Sequence, residues 1–199
     1  MDKKGINNHL KIVEAANTLF YQRGYDHTSF SQIAEEATIP RGNFYYYFKT
    51  KEDILEAVIE FRFNFMQSTL QEWTDNFSPG APRLKRFSQM LRNEVDEVVR
   101  YGCPLGSLGT ELGKSYPELQ KKARHPFDII LNWLKAEFIV LGYEDCADEN
   151  AMHLLSRAQG IVTIAHAYAD RDFLFRETDQ LDAWIDALAS NTNKCAPSY

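Results

Sequence analysis

The chain has 199 residues, 44% of them hydrophobic, and a formal net charge of −6. That composition can fill a core and excludes a disordered or fibrous chain, and no apolar run approaches the roughly 18 residues of a membrane span. Three cysteines, Cys103, Cys146 and Cys195, are odd in number and far apart, so neither a disulfide framework nor a CxxC metal pair is expected and each is taken as a reduced thiol.

The opening MDKKGINNHL has no apolar signal-peptide core, so a cytoplasmic protein is expected. Charge is unevenly spread. Residues 1–51 hold 7 Lys and Arg against 5 Asp and Glu, whereas residues 52–199 hold 15 against 23. A slightly basic head on an acidic body permits a polyanionic partner at one end only, although charged runs are more often plain solvated faces.

Apolar residues recur at steps of three and four almost throughout, and nothing alternates, so the expected fold class is all-α. Leu10, Val13, Ala16, Leu19 and Phe20 form a first stripe, closed by Gly24 as a C-cap. Ser29 with Gln32 spells a capping box for a short helix from Phe30 to Glu36. A tight turn follows, and Pro40 opens a third helix reaching about Phe48. Thr50 and Asp53 form another cap pair, starting a connecting helix from Lys51 to about Thr74. FSPGAP at 77–82 breaks the chain. Further helices are expected over 83–101, 104–114, 117–142 with a kink at Pro126, 148–169 and 179–190, before a polar tail.

Three short helices with a tight turn between the second and third are the layout of a helix-turn-helix DNA reader. The third carries five consecutive aromatic residues, Phe44 to Phe48. At about 100° per residue, Phe44, Tyr47 and Phe48 share one face while Tyr45 and Tyr46 point away. Phe44 and Phe48 are therefore expected to anchor the helix, with Tyr45, Tyr46 and Lys51 meeting phosphates and Tyr47 at the edge. Arg41 offers a fork that fits guanine, and Gly42 lets a backbone come close. An ordinary three-helix bundle with surface tyrosines is the competing reading.

Residues 12–55, IVEAANTLFYQRGYDHTSFSQIAEEATIPRGNFYYYFKTKEDIL, resemble the amino-terminal domain of the TetR family of bacterial transcriptional regulators. The F-Y-x-[HY]-F-x-x-K core at Phe44–Lys51 is the most specific part, and Arg23–Tyr25 and Thr28 also match. The resemblance implies a DNA-binding domain over 1–50 and a ligand-binding and dimerisation domain over 51–199. It implies a homodimeric repressor that binds a palindromic double-stranded DNA operator and is released by a small-molecule or thiol-reactive effector. On the matching positions, Thr28 and Ser29 would touch phosphate, Arg41, Gly42 and Asn43 would read bases, and Tyr45, Tyr46, Tyr47 and Lys51 would clamp the backbone. Tyr47 stands where many members have histidine.

In the body, YGCPLGSLGTELGK at 101–114 stands out. Cys103 precedes a proline suited to a first helical turn, so it is expected as an amino-cap, a setting that favours thiolate. Gly102, Gly106, Gly109 and Gly113 lie on one side, each costing about 1 kcal/mol against alanine in a helix interior. Two readings stay open. In one, Cys103 is an electrophile or oxidant sensor, and the segment is similar to that of TetR-family subgroups with a sensing cysteine near the start of the sixth helix. In the other, Cys103 is a small cap and the glycines serve helix packing. Tyr101, Leu108, His125, Phe127, Trp133 and His166 are further candidates for an effector pocket, against the plainer reading of core or interface residues.

Leu154, Ala158, Ile161 and Ala165 give one apolar stripe, and Leu181, Trp184, Ile185 and Leu188 another. The resemblance implies that these helices meet their twins in a four-helix dimer bundle; the alternative is that both stripes close the body's own core. Two heads suit a palindrome better than one. No metal spacing, phosphate loop or cofactor fingerprint is found, so no metal and no cofactor are expected. A cysteine-dependent enzyme would lack a base close in sequence to Cys103, so the chain is not expected to be an enzyme. A DNA-binding activator shares every head residue with a repressor and remains the alternative.

Overall fold

The computed structural model describes residues 3–191, and every element among them is helical. In chain order these are α1 (Lys3–Arg23), α2 (Phe30–Glu36), α3 (Arg41–Tyr47), α4 (Lys51–Asn76), α5 (Ala81–Asn93), α6 (Val95–Tyr101), α7 (Pro104–Ser115), α8 (Pro117–Ala123), α9 (His125–Val140), α10 (Ala147–Tyr168) and α11 (Arg171–Ser190), with a 3-10 turn at Glu144–Cys146. None of these helices is long and apolar enough to cross a membrane. The expected polar tail lies outside the described residues.

Three boundaries differ from expectation. The helix expected over 83–101 breaks at Glu94, whose φ of −118° and ψ of 32° leave the helical region; no glycine or proline marks the place. The helix expected over 117–142 is two helices parted at Arg124, and Pro126 sits in the first turn of α9 instead of at a kink. There its missing N–H leaves no helical bond unmade. Finally, α11 begins at Arg171, because the Asp170 carboxylate accepts the Phe173 N–H at 2.8 Å as an N-cap.

Packing divides the chain into two compact units, and they are not cut at residue 50. The first comprises residues up to Phe65 together with Pro104–Pro126. The reason is apolar: Leu108 and Leu112 of α7 and Ala123 of α8 are buried in one cluster with Ile12, Phe20, Ile33, Phe44, Phe48 and Val58. Each buried leucine contributes about 1.5–3 kcal/mol. Arg62, only 7% exposed, donates to the Asn17 side chain at 2.7 Å and to the Pro104 carbonyl, joining α1, α4 and α7. A buried cation needs such acceptors.

The second unit comprises Met66–Cys103 and the residues from Phe127 onward. Its FSPGAP turn is closed by the buried Glu137 carboxylate, which accepts the Gly80 N–H at 2.7 Å and pairs with Arg83 at 2.8 Å. Along α5 and α11 run polar ties: Lys85 to Asp186, Ser88 to Asp182 and Arg92 to Asp179. Leu154, Ala158, Ile161, Ala165, Leu181, Ile185 and Leu188 are all between 0% and 5% exposed. Trp184 is half-buried against His153 and Phe138, with ring centroids at 5.1 and 6.1 Å. The expected dimer stripes are thus the core of this unit, and their expected place at a dimer interface is corrected. The strongest apolar stripe on a helix is the one its own chain covers first.

The expectation of three reduced thiols also needs correction. Cys103 is a thiol, half-buried, but Cys146 is in a disulfide. Cys195 lies outside the described residues.

Candidate nucleic-acid interface

The α2–turn–α3 geometry follows from local bonds. Ser29 caps α2: the Ser29 N–H donates to Gln32 Oε1 at 2.8 Å and the Gln32 N–H to Ser29 Oγ at 3.3 Å, the expected capping box. The exit of α2 is a Schellman turn. Ile39 N–H bonds Ala34 carbonyl at 3.0 Å, and Thr38 N–H bonds Glu35 carbonyl at 3.0 Å. Thr38 takes the left-handed position at φ 56°, unusual for a β-branched residue. Pro40 is the N-cap of α3 and not its first residue; its carbonyl accepts the Asn43 and Phe44 N–H groups at 2.9 and 3.2 Å.

The five aromatics divide as the helical wheel predicts. Phe44 and Phe48 are 1% and 5% exposed, whereas Tyr45 and Tyr46 are 55% and 73% exposed. Phe44 meets Phe30 edge-on at 5.4 Å, and His9 tilts over Phe48 at 4.7 Å. Tyr45 stacks on Phe30 at 5.7 Å, which holds the exposed ring in one orientation. Tyr47 is half-buried, and its hydroxyl accepts from Asn8 Nδ2 at 3.2 Å. Because that hydroxyl accepts from Asn8, its own proton can be donated elsewhere.

Arg41 is the first residue of α3, with Gly42 and Asn43 in the same turn and both exposed. A Cβ added to Gly42 would meet nothing within 4 Å, so nothing inside the molecule requires glycine there. Lys49 Nζ reaches the Tyr45 carbonyl at the end of α3. Beyond it, Asp53 and Thr50 cap α4 reciprocally, at 2.9 and 3.0 Å. The Thr50 and Lys49 donors hold the Asp53 carboxyl below its usual range.

One expected phosphate contact is placed elsewhere, and a second is partly committed inside the chain. Thr28 is 2% exposed. Its hydroxyl donates to the Gly24 carbonyl at 2.8 Å and its N–H to the Tyr25 carbonyl at 3.2 Å. With both donors committed inward, Thr28 is a buried prop and its expected phosphate contact is corrected. Ser29 remains exposed at the start of α2. Lys51 turns its ammonium inward, to the carbonyls of Tyr25 at 3.0 Å and Thr28 at 3.3 Å, over the Tyr25 ring at 4.1 Å. An ammonium has three donors, so Lys51 can still hold one outside acceptor.

Sequence reasoning passed over Glu111. Its carboxylate on α7 accepts the backbone N–H groups of Tyr25 and Asp26, both at 2.9 Å. The partners lie 86 and 85 positions away, beyond any local pattern. Tyr25 is fully buried, and burial first, then the nearby Glu52 charge, pushes its hydroxyl well above the usual range.

The effector candidates are divided between the two units. Leu108 is 4% exposed in the first unit's core. His125 is exposed at the start of α9. In the second unit, Trp133 bonds Thr74 Oγ1 through its indole N–H at 2.9 Å and meets Trp73 edge-on. His166 is exposed, with Nδ1 at 3.0 Å from the Val99 carbonyl. Tyr101 ends α6 under the Arg100 guanidinium at 5.0 Å, and Phe127 is half-buried in α9. Of the glycine stripe, a Cβ at Gly113 would collide with the Gln120 amide of α8, whereas one at Gly109 would meet nothing within 4 Å. Gln120 is exposed and its amide can swing aside, so close helix packing requires glycine at neither position. No group of three or more potential metal ligands occurs among the described residues.

Comparison with known proteins bears on the same segment. Residues 12–58 match the model of a family described as bacterial regulatory proteins, tetR family. A negative transcriptional regulator of the biofilm operon icaADBC, IcaR of Staphylococcus epidermidis, is 36% identical over 130 residues, 65% of this chain and 66% of that protein. An uncharacterised helix-turn-helix regulator of Lactococcus lactis is 30% identical over 123 residues, 61% of this chain and 63% of that protein. The chain thus spans just under two thirds of these relatives. In fold, a TetR-family regulator of Cytophaga hutchinsonii superposes with a TM-score of 0.80 at 19% identity, covering 96% of this chain and all of that one.

Proposed function

We propose that this chain, which belongs to the tetR family of bacterial regulatory proteins, is a repressor that binds a palindromic operator as a homodimer and leaves it when an effector binds. The observation that carries the reading is the outward face of α3. Tyr45 and Tyr46 expose their rings, and Gly42 leaves space that no described residue fills. A glycine in a helix and two largely solvated rings add little to the fold, and they suit a backbone that must approach a phosphate or base edge. Arg41, Gly42 and Asn43 would read bases, and Ser29, Tyr45, Tyr46, Tyr47 and Lys51 would hold phosphates. Residues 1–50 would carry DNA and 51–199 the effector and the twin.

The dimer face is revised with the burial. On α10, Met152, Ile164 and Tyr168 are 53%, 42% and 78% exposed; Ile164 and Tyr168 lie one turn apart, with the exposed Gly160 one turn before Ile164. On α11, Ala183 and Ala187 are exposed. Small side chains on these two helices let a second copy approach closely, and the apolar ones supply area to bury.

Release by a thiol-reactive effector would act through Cys103. The test is a gel shift on DNA upstream of the chain's own gene, with wild type and Cys103→Ser. Retardation at low salt that weakens steeply as salt rises supports the head; no retardation of any DNA defeats it. Release by N-ethylmaleimide or quinones that is lost in Cys103→Ser supports the sensor, and release retained in the mutant defeats it.

A further inference from the structure

The loop between α1 and α2, residues 24–28, is held from two helices, α7 and α4, and from the N-cap of a third, α8. From α7, the Glu111 carboxylate takes two successive backbone N–H groups, those of Tyr25 and Asp26. Next to α8, the Tyr116 hydroxyl donates to Asp26 Oδ1 at 3.1 Å, and the Tyr116 ring meets Tyr25 edge-on at 5.4 Å. From α4, Lys51 takes the carbonyls of Tyr25 and Thr28. Gly24 fits the same arrangement: its φ of +86° favours glycine, and a Cβ there would press on Glu111 Oε1 at 3.1 Å. The next residue after the loop is Ser29, the cap of α2. The direction in which α2 leaves, and with it α3 through the Schellman turn, is therefore set by how this loop is pinned.

The geometry points to Glu111 as a positioning residue for DNA binding: its carboxylate fixes the α1–α2 loop so that the cap of α2 and the outward face of α3 meet the duplex together. This rests on the proposed reading of the head. Charge-assisted bonds to backbone N–H groups are stronger than neutral ones, and here two are made by one side chain. Glutamine in its place keeps one acceptor oxygen but turns an NH2 group toward the second N–H, so it restores part of the hold.

Electrostatics gives the test its sign. Removing Glu111 makes the chain less acidic, which alone would tighten binding to a polyanion. A positioning role predicts the reverse. Operator affinity is measured by fluorescence anisotropy for wild type, Glu111→Gln and Glu111→Ala, with Glu118→Gln as a charge control. Glu118 is exposed on α8 and pairs with Lys121. Amide exchange at Tyr25 and Asp26 is followed alongside by mass spectrometry. Expected are faster exchange at those two amides and an operator Kd raised about tenfold in Glu111→Ala, less in Glu111→Gln, with Glu118→Gln equal to or tighter than wild type. The near-isosteric glutamine variant keeps the test open if the alanine variant does not fold. Operator binding as tight as wild type in Glu111→Gln and any folded Glu111→Ala, or unchanged exchange at Tyr25 and Asp26, overturns the role. A wild-type chain that binds no DNA overturns the reading of the head itself.

Discussion

α3 and α10 each carry an apolar stripe, and in both the stripe is spent on the molecule's own interior. In α3 it is Phe44 and Phe48; in α10 it is Leu154, Ala158, Ile161 and Ala165. What α3 leaves exposed, Tyr45 and Tyr46, lies away from its stripe; on α10 Met152, Ile164 and Tyr168 stay exposed, Met152 opposite the stripe and Ile164 and Tyr168 along its edge. The two differ in how visible that second face is. On α3 it consists of three residue types, glycine, asparagine and tyrosine, that make little sense as plain solvated surface. On α10 it is a few exposed apolar residues spread around the helix, easily passed over beside the strong stripe. The lesson is that hydrophobic periodicity finds the core, and a binding surface has to be sought in what the core leaves over.

The comparison breaks first at the buried faces. Phe44→Ala should cost about 3–5 kcal/mol of stability and Leu154→Ala about 2–5 kcal/mol, measured by urea denaturation. If Leu154→Ala moved stability by less than about 0.5 kcal/mol, the value usual for surface changes, and yet split a dimer, the α10 stripe would be an interface after all. The outward face should behave in the opposite way. Ile164→Glu with Tyr168→Glu should leave helix content by circular dichroism intact and weaken self-association by about 2 kcal/mol or more, because two like charges would be buried at a symmetric contact. Sedimentation velocity over a concentration series checks it; an unshifted dimer would place the twin elsewhere.

Much of the head was legible in the sequence because its signals are local. The capping box at Ser29 and Gln32, the cap pair at Thr50 and Asp53, and the division of Phe44 to Phe48 all lie within four residues of their partners. The body was less legible for the same reason turned round. Glu94 breaks a helix without glycine or proline, and α11, capped by Asp170, begins eight residues before the expected start. Thr28 matched a phosphate contact by position, but its hydroxyl is taken by a carbonyl four residues back. Glu111 finds its two donors from across the chain, and Leu108 and Leu112 complete a core that sequence reasoning had assigned to the amino-terminal residues alone. Which helix packs on which is decided by tertiary contact, and periodicity is silent on it.

On α3 the outward face can be sharpened residue by residue. Tyr46→Ala removes a ring that is 73% exposed, so stability should stay within about 0.5 kcal/mol of wild type. Operator affinity should fall about tenfold, as for the loss of one well-placed contact. Gly42→Ala should separate the two properties further. Alanine is the better helix former by about 0.5–1 kcal/mol, and the space around Gly42 accepts the methyl without a clash inside the chain. Stability should rise while operator binding falls. Both moving together would mean that Gly42 faces nothing in the complex.

The smallest expected effect concerns the turn that joins α2 to α3. Thr38 holds a left-handed backbone at φ 56° so that Ile39 and Thr38 can close the Schellman bonds onto Ala34 and Glu35. A β-branched residue is disfavoured there by about 1–2 kcal/mol, and its side chain is exposed, with no packing that would offset the strain. Thr38→Gly relieves that strain but adds freedom to the unfolded chain, so the net gain should be about 0.5–1 kcal/mol. Thr38→Asn, which tolerates the left-handed region better than threonine, should fall between the two. Urea midpoints for the three proteins check the order. If glycine proved less stable than threonine, the turn would not be strained at this position, and the hold on α3 would rest on the packing of Ile39 and Phe44 alone.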